Sequence, residues 1–385
     1  MARNELESAE EAFRAAQSRL GIVGAYIALI NFTTKVGALN PVATGAQWTA
    51  LVVRLVASMR IRSRKLAQSY YQLARAIDTG FTLGVPEGDE PSSDVSLGRL
   101  RQRFLDELLE VNSLGKEVSD GLEDIERFLG DEAVKLDPDS DVESRRGAPL
   151  SRVKLDSYIQ SFLDHEGADG LVEVEPFEWP TDTDFNVIEE TLGDYVRRRL
   201  DSLEKDLKSR VKKPDDNSSP EELDKKLSKA HEDAGNDLAG DVHKQGIDAG
   251  STLIRKVSGV DKRVQVWARV TGPRPCAFCA MLASRGFAYK TKQSATGSYK
   301  GDYTENADGS LNFSISAYHK NCACTAVPRW ESVHENDTPE LNAYLEKMWP
   351  EVTAAYSGVD ALNAWRRWLN AQYSKTDGQQ SFDFK

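Results

Sequence analysis

Apolar and polar positions follow a helical period over most of this chain. Residues 5 to 80 are rich in Ala, Leu, Glu, Arg and Gln, with apolar residues at helical spacing. A first helix is expected from Leu6 into the apolar segment Leu20–Ile30, and Asn40-Pro41 breaks it. A second helix is expected from Ala46 to Ile77, with Leu51, Leu55, Met59, Leu66, Leu73 and Ile77 along its apolar face and Asp78-Thr79-Gly80 as its stop. Gly84 to Asp94 reads as a linker, Ser96 to Leu129 as one or two helices, and Asp131 to Pro149 as a polar stretch with little periodicity. Leu171 to Glu175 alternates like a short strand. Helical spacing returns from Asp184 to Lys212. Lys213 to Pro220 punctuates the chain, and a long helix follows from Glu221 to Val257, with Leu223, Leu227, Ala230, Ala234, Leu238 and Val242 in one seam. Gly235, Gly240, Gly246 and Gly250 weaken that helix or let a neighbour come close. Val264 to Val270 alternates apolar and polar, which predicts a strand with Trp267 on the opposite face. Ala277 to Ser284 is helix-prone. Helices are expected again over Pro339–Trp349 and Glu351–Ala371, with Trp365 and Trp368 on one face and a disordered tail from Gly378.

Composition narrows the class. With 385 residues, 40% hydrophobic and 29% charged, the chain can build two or three compact units. A net charge of −12 argues against a protein that coats nucleic acid. Met1 to Arg19 is a charged helical pattern without a cleavage site, so no signal peptide is expected. Leu20–Ile30 is too short to span a bilayer, and no membrane role is expected. The basic cluster Arg54, Arg60, Arg62, Arg64 and Lys65 could meet an acidic partner, but reads more simply as a solvated helix face. Tyr70-Tyr71 reads as packing before it reads as an interface anchor. Asp164, Glu166 and Asp169 around His165 could form a metal or acid–base site, although Gly167 and Gly170 favour an exposed acidic turn. His231 and His243 are twelve residues apart and read as surface or boundary histidines.

The distinctive chemistry lies between Arg263 and Trp330. All four cysteines are there: Cys276 and Cys279 as C-x-x-C, Cys322 and Cys324 as C-x-C, with His319 three residues before Cys322. Two ligand pairs from separated segments are the usual supply for tetrahedral zinc, and five candidates compete here for four places. The same thiols could instead be reduced apolar packing, or disulfides in an oxidising setting. A catalytic pair of Cys276 or Cys279 with His319 is a further alternative, without an identified orienting group. Between the pairs, Lys290 to Leu311 is polar, with a hairpin signal at Asp308-Gly309. Tyr289, Tyr299, Tyr303 and Phe313 in and beside it, among lysines, could stack bases, but Asp302, Glu305 and Asp308 favour a hairpin or a protein contact. No P-loop, Rossmann glycine run, G-x-S-x-G or H-E-x-x-H occurs.

Four segments carry a resemblance: Val266-Trp267-Ala268-Arg269, Pro275-Cys276-Ala277-Phe278-Cys279, Tyr318-His319-Lys320-Asn321-Cys322-Ala323-Cys324, and Val327-Pro328. Together, over about 70 residues, they resemble the C-terminal domain of the phage Mu F-like minor head proteins, in the version found in tailed phages of actinobacteria. Two places depart from the family pattern. Gly272-Pro273-Arg274 replaces the Asp that often precedes the first cysteine pair, and Ser314-Ile315-Ser316-Ala317 replaces a Pro-rich lead into the His.

The expected fold is mainly α: an extended helical body with a small C-terminal α+β cysteine-containing domain. The expected regions are 1–84 (N-terminal helices), 85–183 (helices and loops with polar linkers), 184–260 (long helices), 261–330 (Cys/His domain) and 331–385 (C-terminal helices and tail). The resemblance implies a minor capsid protein inside the phage head, made in the host cytoplasm. It would act in head assembly near the portal vertex, with roles in DNA packaging or exit. Its partners would be the portal protein, the major capsid protein and packaged DNA, and it could assemble as an oligomer on the portal. Cys276, Cys279, His319, Cys322 and Cys324 would then have structural roles, with zinc as their cofactor and no catalytic residue. A second reading is a capsid maturation protease, which would need a Ser and one of His165, His231, His243 or His334 brought together. A third, an exported toxin or nuclease module, is weakened by the short chain after Pro328, about 55 residues.

Overall fold

Three long helices carry the core: α1 (Ala2–Lys35), α3 (Ala46–Thr79) and α7 (Pro220–Ser258), each packed against the other two. The structure, a computed structural model, describes residues 2–38, 40–84, 94–129, 155–164, 170–180, 185–212, 220–271, 275–291, 294–295, 324–330 and 340–375. Between α1 and α3 lies the single turn α2 (Pro41–Thr44), with Pro41 at its first position, where the missing N–H costs no helical bond. α3 ends at Gly80, whose φ of 74° closes the helix in the left-handed region. α4 (Leu97–Leu129) and α5 (Leu155–Leu163) pack on this trio, and α6 (Phe185–Lys212) lies against α3 and α7.

The apolar seams read from the sequence face the core, with Leu51, Leu55, Ile77, Leu223, Ala230 and Ala234 partly buried against it. Met59, Leu66 and Leu73 of α3 are buried, as are Leu227, Leu238 and Val242 of α7. Burying a side chain such as Leu66 is worth about 1.5–3 kcal/mol. Tyr70 stacks on Phe13 with centroids 4.5 Å apart, and Trp48 Nε1 donates to the Ala28 carbonyl at 2.8 Å. Tyr70 and Tyr71 are therefore packing residues. The α3 basic cluster is partly used inside the molecule: Arg62 pairs with Glu110 at 2.9 Å, and Arg60 donates to the Gln245 carbonyl at 3.3 Å.

The α7 glycines permit close approach. A Cβ at Gly250 would lie 2.6 Å from the Ser63 carbonyl oxygen, and one at Gly246 would fall on the Met59 side chain. At this junction Gln17 Nε2 donates to the Ser63 carbonyl at 3.0 Å, and the Gly250 N–H donates to Ser63 Oγ at 3.0 Å.

Two small sheets accompany the helices. β1 (Phe81–Leu83) and β2 (Asp94–Ser96) flank β3 (Leu171–Glu175), parallel and antiparallel respectively. The β3 strand falls where alternation predicted it. β4 (Val266–Val270) and β5 (Thr325–Arg329) form an antiparallel pair, and α8 (Ala277–Ala283) lies between them in chain order. α9 (Glu340–Thr353) and α10 (Gly358–Lys375) pack on α8 around Leu345, Trp365 and Leu369. Trp365 and Trp368 stack at 4.7 Å. The observed architecture is the mainly α one expected.

Three expectations need correction. His243 is buried, because it lies in the α1–α7 seam directly over Gly21, where a Cβ would come within 2.5 Å of its Cδ2. β4 does not alternate in burial: Trp267 through Val270 are all buried, since α8 and Tyr289 cover one face while Phe287 and Val327 cover the other. The expected break before Glu351 is absent; α9 runs through Pro350 to Thr353, and the chain turns instead at Gly358, with φ 55°. Several expectations lie outside the described residues: most of the Gly84–Asp94 linker, Asp131–Pro149, the His165 turn, Lys213–Ser219, most of Lys290–Leu311, His334 and the Gly378–Lys385 tail.

Candidate functional site

The register of β4 and β5 brings distant thiols together. Val270 pairs with Thr325, so Cys324 enters the sheet beside the end from which Thr271 leaves toward Cys276. Cys276 caps α8, and its Sγ accepts the Cys279 N–H at 3.4 Å. One turn in, Cys279 is 1% exposed. It packs with Cys324, and the half-buried Cys276 lies against both. His319 and Cys322 lie outside the described residues.

Arg269 belongs to the first of the four resemblance segments, but its sequence context assigns it no role. It is fully buried, and its Nη2 donates to Cys279 Sγ at 3.1 Å. Its signal in the sequence was a charge between Ala268 and Val270 in an otherwise apolar strand. Asn342, also buried, donates from Nδ2 to the carbonyls of Arg269 at 2.7 Å and Ala283 at 3.1 Å, tying α9 to β4 and to the end of α8. Trp267 pairs its backbone with Tyr289 and donates from Nε1 to Ser258 Oγ at 3.2 Å. Tyr289 reaches the Leu282 carbonyl at 2.8 Å, and burial pushes its phenol up to about 12.

By donor type the three thiols suit a soft or borderline cation. Among the described residues, no group of three or more His, Cys, Asp or Glu is arranged to hold a metal ion. A completed ligand set would draw on His319 or Cys322.

A second polar cluster joins this unit to the helical body. Asp261, at the boundary expected from the sequence, accepts from Arg75 Nε at 2.9 Å, Tyr71 Oη at 2.9 Å and Trp330 Nε1 at 2.8 Å. The backbone N–H of Arg263 donates to its other oxygen at 3.1 Å. Burial alone would raise the Asp261 carboxyl, but the Arg75 bond and the other donors hold it below its ordinary value. Glu175 bridges Arg75 and Arg263, with Arg263 Nη2 at 2.7 Å. On the far side Arg329 pairs with Glu10 at 2.7 Å, its guanidinium over the Phe287 ring, and Trp330 N donates to Asp78 at 2.9 Å. Arg14 Nη1 donates to the Thr271 carbonyl at 2.5 Å. The two histidines described pack within the body: His231 stacks on Phe32 at 4.7 Å, and His243 covers Gly21.

Among the described residues no helix is long and apolar enough to cross a membrane. No curated protein and no solved structure matches the chain. One family model does, described as VG15 protein, over residues 197–352. The matched span is less than half of the chain. It runs from α6 through the joint at Asp261 and the cysteine unit into α9, and it indicates a phage protein family.

Proposed function

We propose that this chain is a minor head protein of a tailed phage, of the Mu F-like kind, carried in the virion and acting in head assembly near the portal vertex. The observation that supports it is the phage family match, which runs through most of α6, all of α7 and the cysteine unit as one stretch. The joint at Asp261 and Arg329 fits this reading, because buried ion pairs that cross from one part to the other fix their relative geometry. In such a protein the helical body supplies contact surface for the portal and major capsid proteins, and for packaged DNA. The cysteine unit is a rigid block presented at its end. Zinc on Cys276, Cys279 and Cys324, completed by His319 or Cys322, would act as a structural clamp with no catalytic part. Elemental analysis of anaerobically purified protein tests the clamp; absence of stoichiometric metal removes it.

Quantitative mass spectrometry of purified virions tests the main reading. A few intact copies per particle, counted against portal and shell subunits, are expected. Absence from virions together with a trimmed shell protein would overturn it and point to a maturation protease.

A further inference from the structure

Cys276 and Cys279 share the first turn of α8, and the Cys276 sulfur is already folded over that turn onto the Cys279 N–H, 3.4 Å away. Residues three apart in a helical turn have Cα atoms about 5 Å apart, inside the disulfide window of about 4.4–6.8 Å. The two differ in access: Cys276 is half-buried and Cys279 is buried beneath it. Cys324, the third thiol, is set at the start of β5, where the β4 pairing fixes its backbone, and it does not share the turn.

We propose that Cys276 and Cys279 form a reversible disulfide by exchange with a low-molecular-weight disulfide. Cys276 is the entry thiol and Cys279 the resolving thiol. In the first step the Cys276 sulfur attacks one sulfur of the small disulfide. A mixed disulfide forms, and one small thiol leaves with the Cys276 proton. In the second step the Cys279 sulfur attacks the Cys276 sulfur, and the second small thiol leaves with the Cys279 proton. One small disulfide and two protein thiols become one protein disulfide and two small thiols. The Arg269 guanidinium, 3.1 Å from Cys279 Sγ, stands where negative charge collects on the attacking sulfur. The inference is independent of the head-protein reading, and it competes with zinc for the same thiols.

The test uses the full-length chain incubated with oxidised glutathione, quenched in acid and digested with trypsin. Arg274 precedes Pro275 and resists cleavage, so residues 270–285 stay on one peptide with both cysteines, apart from Cys324. Expected is the loss of two hydrogens within that peptide, reversed by dithiothreitol. Cys279→Ser should hold glutathione on Cys276. A persistent adduct on the wild-type chain, a link to Cys324, or an unreactive Cys276 in a folded Cys279→Ser variant would each overturn the proposal. If that variant loses its circular dichroism, the wild-type peptide alone decides. A chain that carries stoichiometric zinc and resists oxidised glutathione also overturns it, and leaves the clamp standing, so the two readings fail separately.

Discussion

His243 shows how one residue couples packing to pH. It is 5% exposed, pressed on Gly21 of α1, and burial holds its imidazole down at about 4. The unfolded chain takes up a proton near 6.5, so between those values the unfolded state binds more protons and stability falls as the pH falls. The full contribution is present above about 6.5 and is lost progressively toward 4, an upper bound of about 3 kcal/mol. Asp261 and Glu175, both held below their ordinary values, add their own losses as acid reaches their folded range. A His243→Gln variant separates the terms. Its urea midpoint should change less between pH 7 and pH 4.5 than that of the wild-type chain; equal changes would remove His243 as a source. The sequence did not show this residue's place, because spacing along α7 does not reveal that a glycine on another helix leaves room for the ring.

At the scale of elements, the helix seams make opposite forecasts for one substitution. Gly250→Ala drives a Cβ to within 2.6 Å of the Ser63 carbonyl, a backbone atom that cannot swing aside, and should cost about 1–3 kcal/mol. Gly193→Ala meets nothing nearer than the flexible end of Arg197 at 3.6 Å, and should stabilise α6 by up to about 1 kcal/mol through helix propensity. Denaturant unfolding of both variants checks the signs; two destabilised proteins would show that the seam is not what constrains Gly250. The helices themselves were legible, since a 3.6-residue period sustained for thirty residues has few competitors. β1 and β2 were not, because three residues are too few to show a period of two. In the candidate site the thiol spacing was legible, whereas the buried Arg269 and Asn342 were not. A charge inside an apolar strand announces burial but not its partner, and Asn342 acts through carbonyls 73 and 59 residues away in sequence.

For the molecule as a whole, the question is whether body and cysteine unit unfold together. Asp261 is the hub. Arg75, 1% exposed, would keep the ion pair with Glu175 but lose its buried carboxylate partner if Asp261 were lost, and removing one member of a buried pair typically costs about 3–5 kcal/mol. Tyr71 and Trp330 would lose an acceptor in the same substitution. Two probes report on different parts of the chain. Five of the seven tryptophans (Trp267, Trp330, Trp349, Trp365 and Trp368) follow Asp261, so fluorescence weights the C-terminal side. The long helices α1, α3, α4, α6 and α7 all precede it, so far-ultraviolet circular dichroism weights the body. In the wild-type chain the two transitions should coincide, as expected when a buried joint couples the parts. In Asp261→Ala both midpoints should fall, and the fluorescence transition should come first, because the smaller C-terminal side loses its anchor on α3. If the two probes still coincide at a lower midpoint, Asp261 contributes stability but does not couple the parts, and the coupling rests on Arg329 with Glu10.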